Sequence, residues 1–354
     1  MCSSDLISSE GIKKLLRGPG GSTVTTTILR GSKTMDISIE RGIIPLPSLE
    51  AAYLVAPGTG FIRISKFSET TYEEFMASLE KLKAAGMQSL VLDLRGNGGG
   101  ILGEAIDMAD EFLDGDKLIV YTEGNSTPRQ EYRARRKGIF EKGKLVLLMD
   151  EQSASASEVL AGALQDWDRA TIVGRRSFGK GLVQEQYDLS DGSALRLTIA
   201  RYYTPSGRSI QKPYDKGTDA YENDILDRYQ HGELVNADSN KVENGKAYKT
   251  NGGKTVYGGG GIMPDHFISA DTTTLSIPFG ALYRNNTLSN FSYLYYVSHS
   301  DQLGKYKDAT AFRDNFSWTE NDWNDFIRLA SADSVDLKGL ARGEQDFLQE
   351  RLKG

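Results

Sequence analysis

The feature that most constrains this chain is an alternation between residues 60 and 175. Short apolar segments take turns there with segments of helical period. Residues 61–65 read as a strand. Thr70-x-x-Glu73 reads as a capping box, and Phe75, Leu79 and Leu82 follow at helical spacing until Gly86 closes the helix. Residues 89–94 form a short apolar strand and residues 96–100 a glycine-rich turn. A helix follows with Ile101, Ala105, Met108 and Phe112 facing inward. Strands at 118–121 and 145–149, a helix from Ser155 to Trp167 and a strand at 171–173 complete the run. Such alternation predicts parallel strands joined by right-handed helical crossovers. The polar, basic stretch 123–143 reads as an exposed excursion.

The flanks differ in character. Residues 7–42 suggest a helix over 11–17, capped by Ser9 and ended by Gly18 and Pro19, then a hairpin of 23–29 with 34–40. One helix and two strands cannot bury a core of their own, so this piece reads as the tail of a domain. After residue 183, the segments 183–189 and 194–203 flank Ser190-Asp-Gly-Ser193, a hairpin signal. Residues 213–257 are polar and read as a surface insert. From about residue 275 aromatic residues multiply (Phe279, Tyr283, Tyr293, Tyr295, Tyr296), and 322–328 and 340–352 read as helices. The last of these runs into the chain end, which reads as truncation.

Composition closes several routes. The 354 residues allow two or three domains, and the net charge of −6 gives no reason to expect a nucleic-acid partner. No apolar run is long enough for a spanning helix, and no signal peptide is visible. The single cysteine, Cys2, lies in an opening Met-Cys-Ser-Ser-Asp-Leu that reads as a translated sequencing adapter, an assembly scar over residues 1–6. Disulfide and thiol chemistry are therefore not expected, and three scattered histidines (His231, His266, His299) argue against a metal site. No cofactor is expected.

Three segments could carry chemistry. Ser153-Ala-Ser-Ala-Ser157 falls at a strand-to-helix turn, where a serine meets the positive end of the helix dipole. Such a place suits a nucleophile whose transition state carries an oxyanion, but Ser155-x-x-Glu158 is equally a capping box. Gly179-Lys180-Gly181 could be a basic surface turn. It could also offer a general base if Phe178, Leu182 and Val183 draw the ammonium into a dry pocket, with Gln184 holding the neutral amine. Asp93-Leu-Arg-Gly-Asn-Gly-Gly-Gly100 could bind a dinucleotide, form half of an oxyanion hole, or be only a tight turn.

Together these strings resemble the carboxy-terminal processing (tail-specific) proteases, a family of serine–lysine endopeptidases. Asp93–Gly100, Ser153-Ala-Ser-Ala-Ser-Glu-Val-Leu-Ala-Gly-Ala-Leu164 and Ser177-Phe-Gly-Lys-Gly-Leu-Val-Gln184 match in order. So do Arg201-Tyr-Tyr-Thr-Pro-Ser-Gly-Arg-Ser-Ile-Gln211 and Gly260-Gly-Ile-Met-Pro-Asp265, so that the resemblance spans residues 8–275. It implies a mixed α/β (α+β) fold, with a crotonase/ClpP-like βαβ protease core and a β-rich subdomain. The core domain would span 43–275, with an insert at 213–257. A partial PDZ remnant at 7–42 would precede it and a partly helical region, 276–354, would follow. The resemblance places the nucleophile on Ser155, the general base on Lys180, 25 positions later as in the family, and the orienting amide on Gln184. The oxyanion donors would be the N–H groups of Ala156 and of Gly99, with Gly98 as the alternative. It further implies protein substrates with apolar C-terminal tails, no cofactor, a homodimer as one assembly, and a periplasmic or envelope location. Two rivals stay open: a non-catalytic peptide- or ligand-binding protein on the same fold, and a serine–histidine hydrolase.

Overall fold

The structure is a computed structural model. It describes all residues except 1–8, 31, 43–45, 216, 237–244, 271–277, 279–280, 283–284, 338–339, 341 and 354. The expected scar at 1–6, the expected boundaries at 43 and 275–276, and Phe279 and Tyr283 thus lie outside the described residues. The chain divides into two compact units, Met1–Ala270 and Asp271–Gly354.

The first unit is built on a six-stranded sheet. Strands β4 (Thr59–Ile64), β5 (Ser89–Asp93), β8 (Lys144–Met149), β9 (Thr171–Gly174) and β14 (His266–Phe267) pair in parallel. Strand β3 (Leu49–Ala56) runs antiparallel on the β4 edge. Helices α2 (Thr71–Ala84), α3 (Leu102–Asp110) and α4 (Ala156–Asp166) cross between the parallel strands, as the alternation predicts. Ile62, Leu90, Leu92, Leu147 and Ile172 of the sheet, Phe75 and Leu79 of α2, Met108 of α3 and Leu160 and Leu164 of α4 form one buried core. Each such side chain stabilises the fold by about 1.5–3 kcal/mol. A second, antiparallel sheet runs in the order β10 (Leu182–Asp188), β11 (Ala194–Tyr203), β6 (Leu118–Glu123), β7 (Gln130–Arg133). The N-terminal piece is a short helix, α1 (Ser9–Leu16), and a hairpin of β1 (Thr23–Arg30) and β2 (Lys33–Glu40).

Four local expectations change. The residue that serves the start of α2 is Glu74, not Glu73: its carboxylate accepts Thr70 Oγ1–H and the N–H groups of Ser48 and Leu49, tying the helix to β3. Ile101 is the N-cap of α3 and is exposed, whereas Ala105, Met108 and Phe112 are buried. The excursion 123–143 contains β7 and buries Ala134, whose N–H donates to the Lys117 carbonyl, and Phe140, whose carbonyl is held by Arg169. The insert 213–257 is not only surface: it holds helix α5 (Thr218–Gln230), the strands β12 (Ala247–Lys249) and β13 (Thr255–Tyr257), and the buried Arg228.

The second unit is helical, with α6 (Thr287–Ser298), α7 (Ser300–Leu303), α8 (Ala309–Asn315), α9 (Glu320–Ala332) and α10 (Arg342–Lys353). Phe291, Phe326, Leu348 and Leu352 lie in its core, and Thr319 and Asp322 form a capping box at the start of α9. No helix of the described residues is long and apolar enough to cross a membrane.

Candidate active site

Parallel pairing of β5 with β8 sets Asp93 opposite Leu148. The glycine turn after β5 and the serine segment after β8 therefore leave the sheet side by side at its carboxyl edge, where open α/β sheets form their clefts. Asn97 joins the two. Its carbonyl accepts the Ala154 N–H (2.9 Å) and Ser157 Oγ–H (3.0 Å), and its amide donates to the Ile64 carbonyl (2.9 Å). Ser153 Oγ–H donates to the Leu94 carbonyl at 2.8 Å. The turn itself is anchored by Asp93, whose buried carboxylate accepts the guanidinium groups of Arg63 and Arg95 and the Arg95 N–H. Neither Asn97 nor Ser153 was assigned a role from sequence; both act through main-chain contacts that residue types do not reveal.

Ser155 stands at the N-cap of α4 with φ 56° and ψ −114°, a left-handed conformation that a side-chain-bearing residue adopts only where its surroundings impose it. Gly99, with φ +92°, lies directly against it. A Cβ on Gly99 would meet the Ala154 carbonyl oxygen at 2.6 Å, Ser155 Cβ at 2.7 Å and the Ala156 nitrogen at 2.9 Å. The glycine is thus required by conformation and by close approach.

Behind Ser155 lies the fully buried Glu158. Its Oε2 accepts the main-chain N–H of Ser155 (2.9 Å) and of Lys180 (2.8 Å). Its Oε1 accepts the Gly179 N–H (2.7 Å) and Ser177 Oγ–H (2.5 Å). The Ser155 and Lys180 nitrogens consequently lie within about 6 Å of each other. Burial pushes the Glu158 carboxyl above its ordinary range, and the four donated hydrogen bonds oppose that rise.

Two expectations about side chains are not met. Lys180 is exposed rather than drawn into a dry pocket, and so is Gln184. Among the described residues no hydrogen bond joins Lys180 Nζ to Ser155 Oγ or to Gln184. The reason is local. The main chain of 179–181 is held inward by Glu158 and by Gln211, whose side chain accepts the Gly181 N–H at 2.8 Å, and this leaves the lysine side chain outside. Gln184 sits at a β-bulge between β10 and β11, a device that re-aims a side chain. The Gly99 N–H is also not free to hold an oxyanion, since it donates to Asn97 Oδ1 at 2.9 Å. The exposed Gly98 N–H enters no internal hydrogen bond among the described residues. Ala156 opens α4, where N–H groups lack partners within the helix.

Residues 58–219 match the model of peptidase family S41, and residues 279–354 match a family of unknown function. A carboxy-terminal-processing protease of Bartonella bacilliformis is 40% identical over 202 residues, covering 55% of this chain and 46% of that protein. A probable CtpA-like serine protease of Staphylococcus haemolyticus is 40% identical over 200 residues, covering 56% of this chain and 40% of its own. Among solved structures, the photosystem II D1 C-terminal processing protease is 34% identical with a TM-score of 0.43, over 56% of this chain and 55% of that one. The chain spans about half the length of the curated relatives it matches. The part of the chain that matches peptidase family S41, residues 58–219, carries the glycine turn, Ser155, Glu158 and Lys180.

Proposed function

We propose that this chain carries the catalytic centre of a serine endopeptidase of the carboxy-terminal processing type, with Ser155 as nucleophile and Lys180 as general base. The observation that carries this reading is the sharing of Glu158 Oε2 by the N–H groups of Ser155 and Lys180, residues 25 apart in sequence. In the proposed cycle neutral Lys180 Nζ takes the proton of Ser155 Oγ as that oxygen bonds to the scissile carbonyl carbon. The N–H groups of Ala156 and Gly98 face the oxyanion. The C–N bond then breaks, and the amine leaves with the proton from Lys180. Water, deprotonated by Lys180, attacks the acyl-enzyme, and Ser155 recovers its proton as the acid product departs. Gln184 orients the lysine.

On the same reading the substrates are unfolded proteins with apolar C-terminal tails, and the enzyme works in the periplasm or cell envelope, a homodimer being one assembly open to it. Residues 7–42 are then the remnant of a PDZ domain, 43–275 the protease domain and 276–354 an appended helical region. A second reading, a peptide-binding protein without turnover, is favoured by one observation: the exposed side chain of Lys180. The two separate in one assay. The chain and its Ser155→Ala and Lys180→Ala variants are incubated with an unfolded polypeptide ending in apolar residues, and new C-termini are read by mass spectrometry. Cleavage lost in both variants supports the peptidase. Binding without cleavage in all three leaves the second reading, and cleavage that survives either substitution removes Ser155 or Lys180 from its role.

A further inference from the structure

The main chain from Arg176 to Gly181 leads into Lys180, and most of its polar groups are held. The N–H groups of Ser177 and Phe178 reach the carbonyls of Ile262 and Ser153, and those of Gly179 and Lys180 reach Glu158. The Gly179 carbonyl accepts the Lys212 N–H, and the Gly181 N–H reaches Gln211. Two further carbonyls, those of Arg176 and Ser177, are taken by one side chain. Arg228, on α5 of the insert, donates Nη2–H to the Arg176 carbonyl at 2.7 Å and Nη1–H to the Ser177 carbonyl at 3.1 Å.

The grip is ionic. Glu233 accepts Arg228 Nε–H at 2.9 Å and two N–H groups of Arg176, each at 2.7 Å. The Arg228 side chain is only 4% exposed. Near the other end of α5, Lys212 Nζ donates to the Tyr221 carbonyl (2.9 Å) and pairs with Asp224 (3.2 Å). It also sits 3.8 Å from the ring centre of Phe178 and 4.2 Å from that of Tyr221. Phe178 is two residues before Lys180, so α5 touches the lysine segment at both ends. On its outer side Leu226 and Tyr229 are about half exposed, and of its rings Tyr221 meets Phe178 edge-on, the centroids 5.8 Å apart. A helix of mostly polar sequence, seated through two buried cations, is shaped by what it grips.

We propose that α5 is a positioning device for the general base: Arg228 and Lys212 fix the path of residues 176–180 so that the Lys180 and Ser155 main chains meet at Glu158. The inference rests on the Ser155–Lys180 reading for its effect on rate and on the geometry alone for its effect on the segment. Arg228 and Lys212 are positioning residues; neither touches the reacting atoms.

The test combines hydrogen exchange with kinetics on the full chain. In Arg228→Ala, amides in peptides covering 176–181 should exchange faster by about tenfold or more, while those of β5 and β8 keep their protection. On an unfolded peptide substrate, kcat should fall by on the order of a hundredfold with KM little changed, as expected when a catalytic group is displaced by a fraction of its contact distance. Arg228→Lys, which cannot span both carbonyls and Glu233, should recover only part of the rate. Lys212→Met keeps an unbranched stem between the two rings and loses the charge. It provides the second reading should Arg228→Ala fail to fold, and it should show the same pattern in weaker form. Unchanged exchange at 176–181 in a folded variant overturns the proposal. So does faster exchange with an unchanged kcat in an enzyme whose Ser155→Ala form is inactive. If wild type and Ser155→Ala are equally inert, the peptidase reading fails, and the exchange arm still decides whether α5 holds the segment.

Discussion

Gly99 leaves no room for a side chain beside Ser155: a Cβ there would stand 2.7 Å from the Cβ of the serine and 2.6 Å from the Ala154 carbonyl oxygen. Both neighbours belong to the N-terminal edge of α4, so relief requires a backbone shift at the proposed nucleophile. Gly99→Ala should therefore lower kcat by on the order of a hundredfold and cost about 1–3 kcal/mol of stability from strain at positive φ and overpacking. Gly103→Ala, at an exposed position of α3, is the control, because nothing lies within 4 Å of a Cβ there and Gly103 has no part in the proposed reaction. Steady-state kinetics and urea midpoints on both variants decide the matter. A Gly99→Ala enzyme with the wild-type rate would mean that the close approach has no bearing on catalysis.

Glu158 binds two hydrogen donors on each carboxylate oxygen, and this makes an isosteric replacement severe. In Glu158→Gln the amide nitrogen must face either the N–H pair of Ser155 and Lys180 or the pair of Ser177 and Gly179. Ser177 Oγ could turn to accept, but the Gly179 N–H has no such freedom. Each orphaned buried donor costs about 1–3 kcal/mol. The variant should thus be destabilised and almost inactive, despite matching glutamate in shape. The check is the kcat of Glu158→Gln beside that of Ser177→Ala, which removes one donor and leaves the carboxylate. If Glu158→Gln is the milder of the two, the four-donor account is wrong.

Much of this site was legible because its parts are punctuated. Glycines at 96, 98, 99 and 100, the Ser-Ala-Ser-Ala-Ser run and Gly-Lys-Gly sit at ends of strongly periodic elements, and parallel pairing brings those ends together. What stayed hidden is contact between side chain and distant main chain. Asn97 looks like any turn asparagine until its carbonyl is seen to hold Ala154 and Ser157. The choice between Gly98 and Gly99 depended on where one amide of Asn97 points. Strand β3 was missed because Leu49–Ala56 lies on a sheet edge with mostly exposed residues, so the alternation that marks a half-buried strand is faint. The insert read as surface because its apolar content is low. Its attachment runs through Arg228 and Lys212, and no periodicity predicts which carbonyls a buried cation will reach.

The acid side of the stability curve should carry the signature of Asp93. Burial by itself would raise this carboxyl, but the hydrogen bonds and charge of Arg95 and the charge of Arg63 outweigh it and hold the group below its ordinary value of 3.8. A carboxyl depressed in the folded state contributes stability that is present above its unfolded pKa and is lost as pH falls through the folded one. The contribution should therefore be complete at neutral pH and fade below about pH 4. Asp93→Asn removes it, leaving Arg63 and Arg95, which are one-third to one-half exposed, to be solvated by water. A loss of about 1–3 kcal/mol at pH 7 is expected, shrinking as the wild-type group takes up its proton. Urea unfolding at pH 7, 5, 4 and 3 on both proteins gives the answer. Equal gaps between the two at pH 7 and at pH 3 would show that Asp93 anchors the glycine turn by shape alone and that its charge contributes nothing.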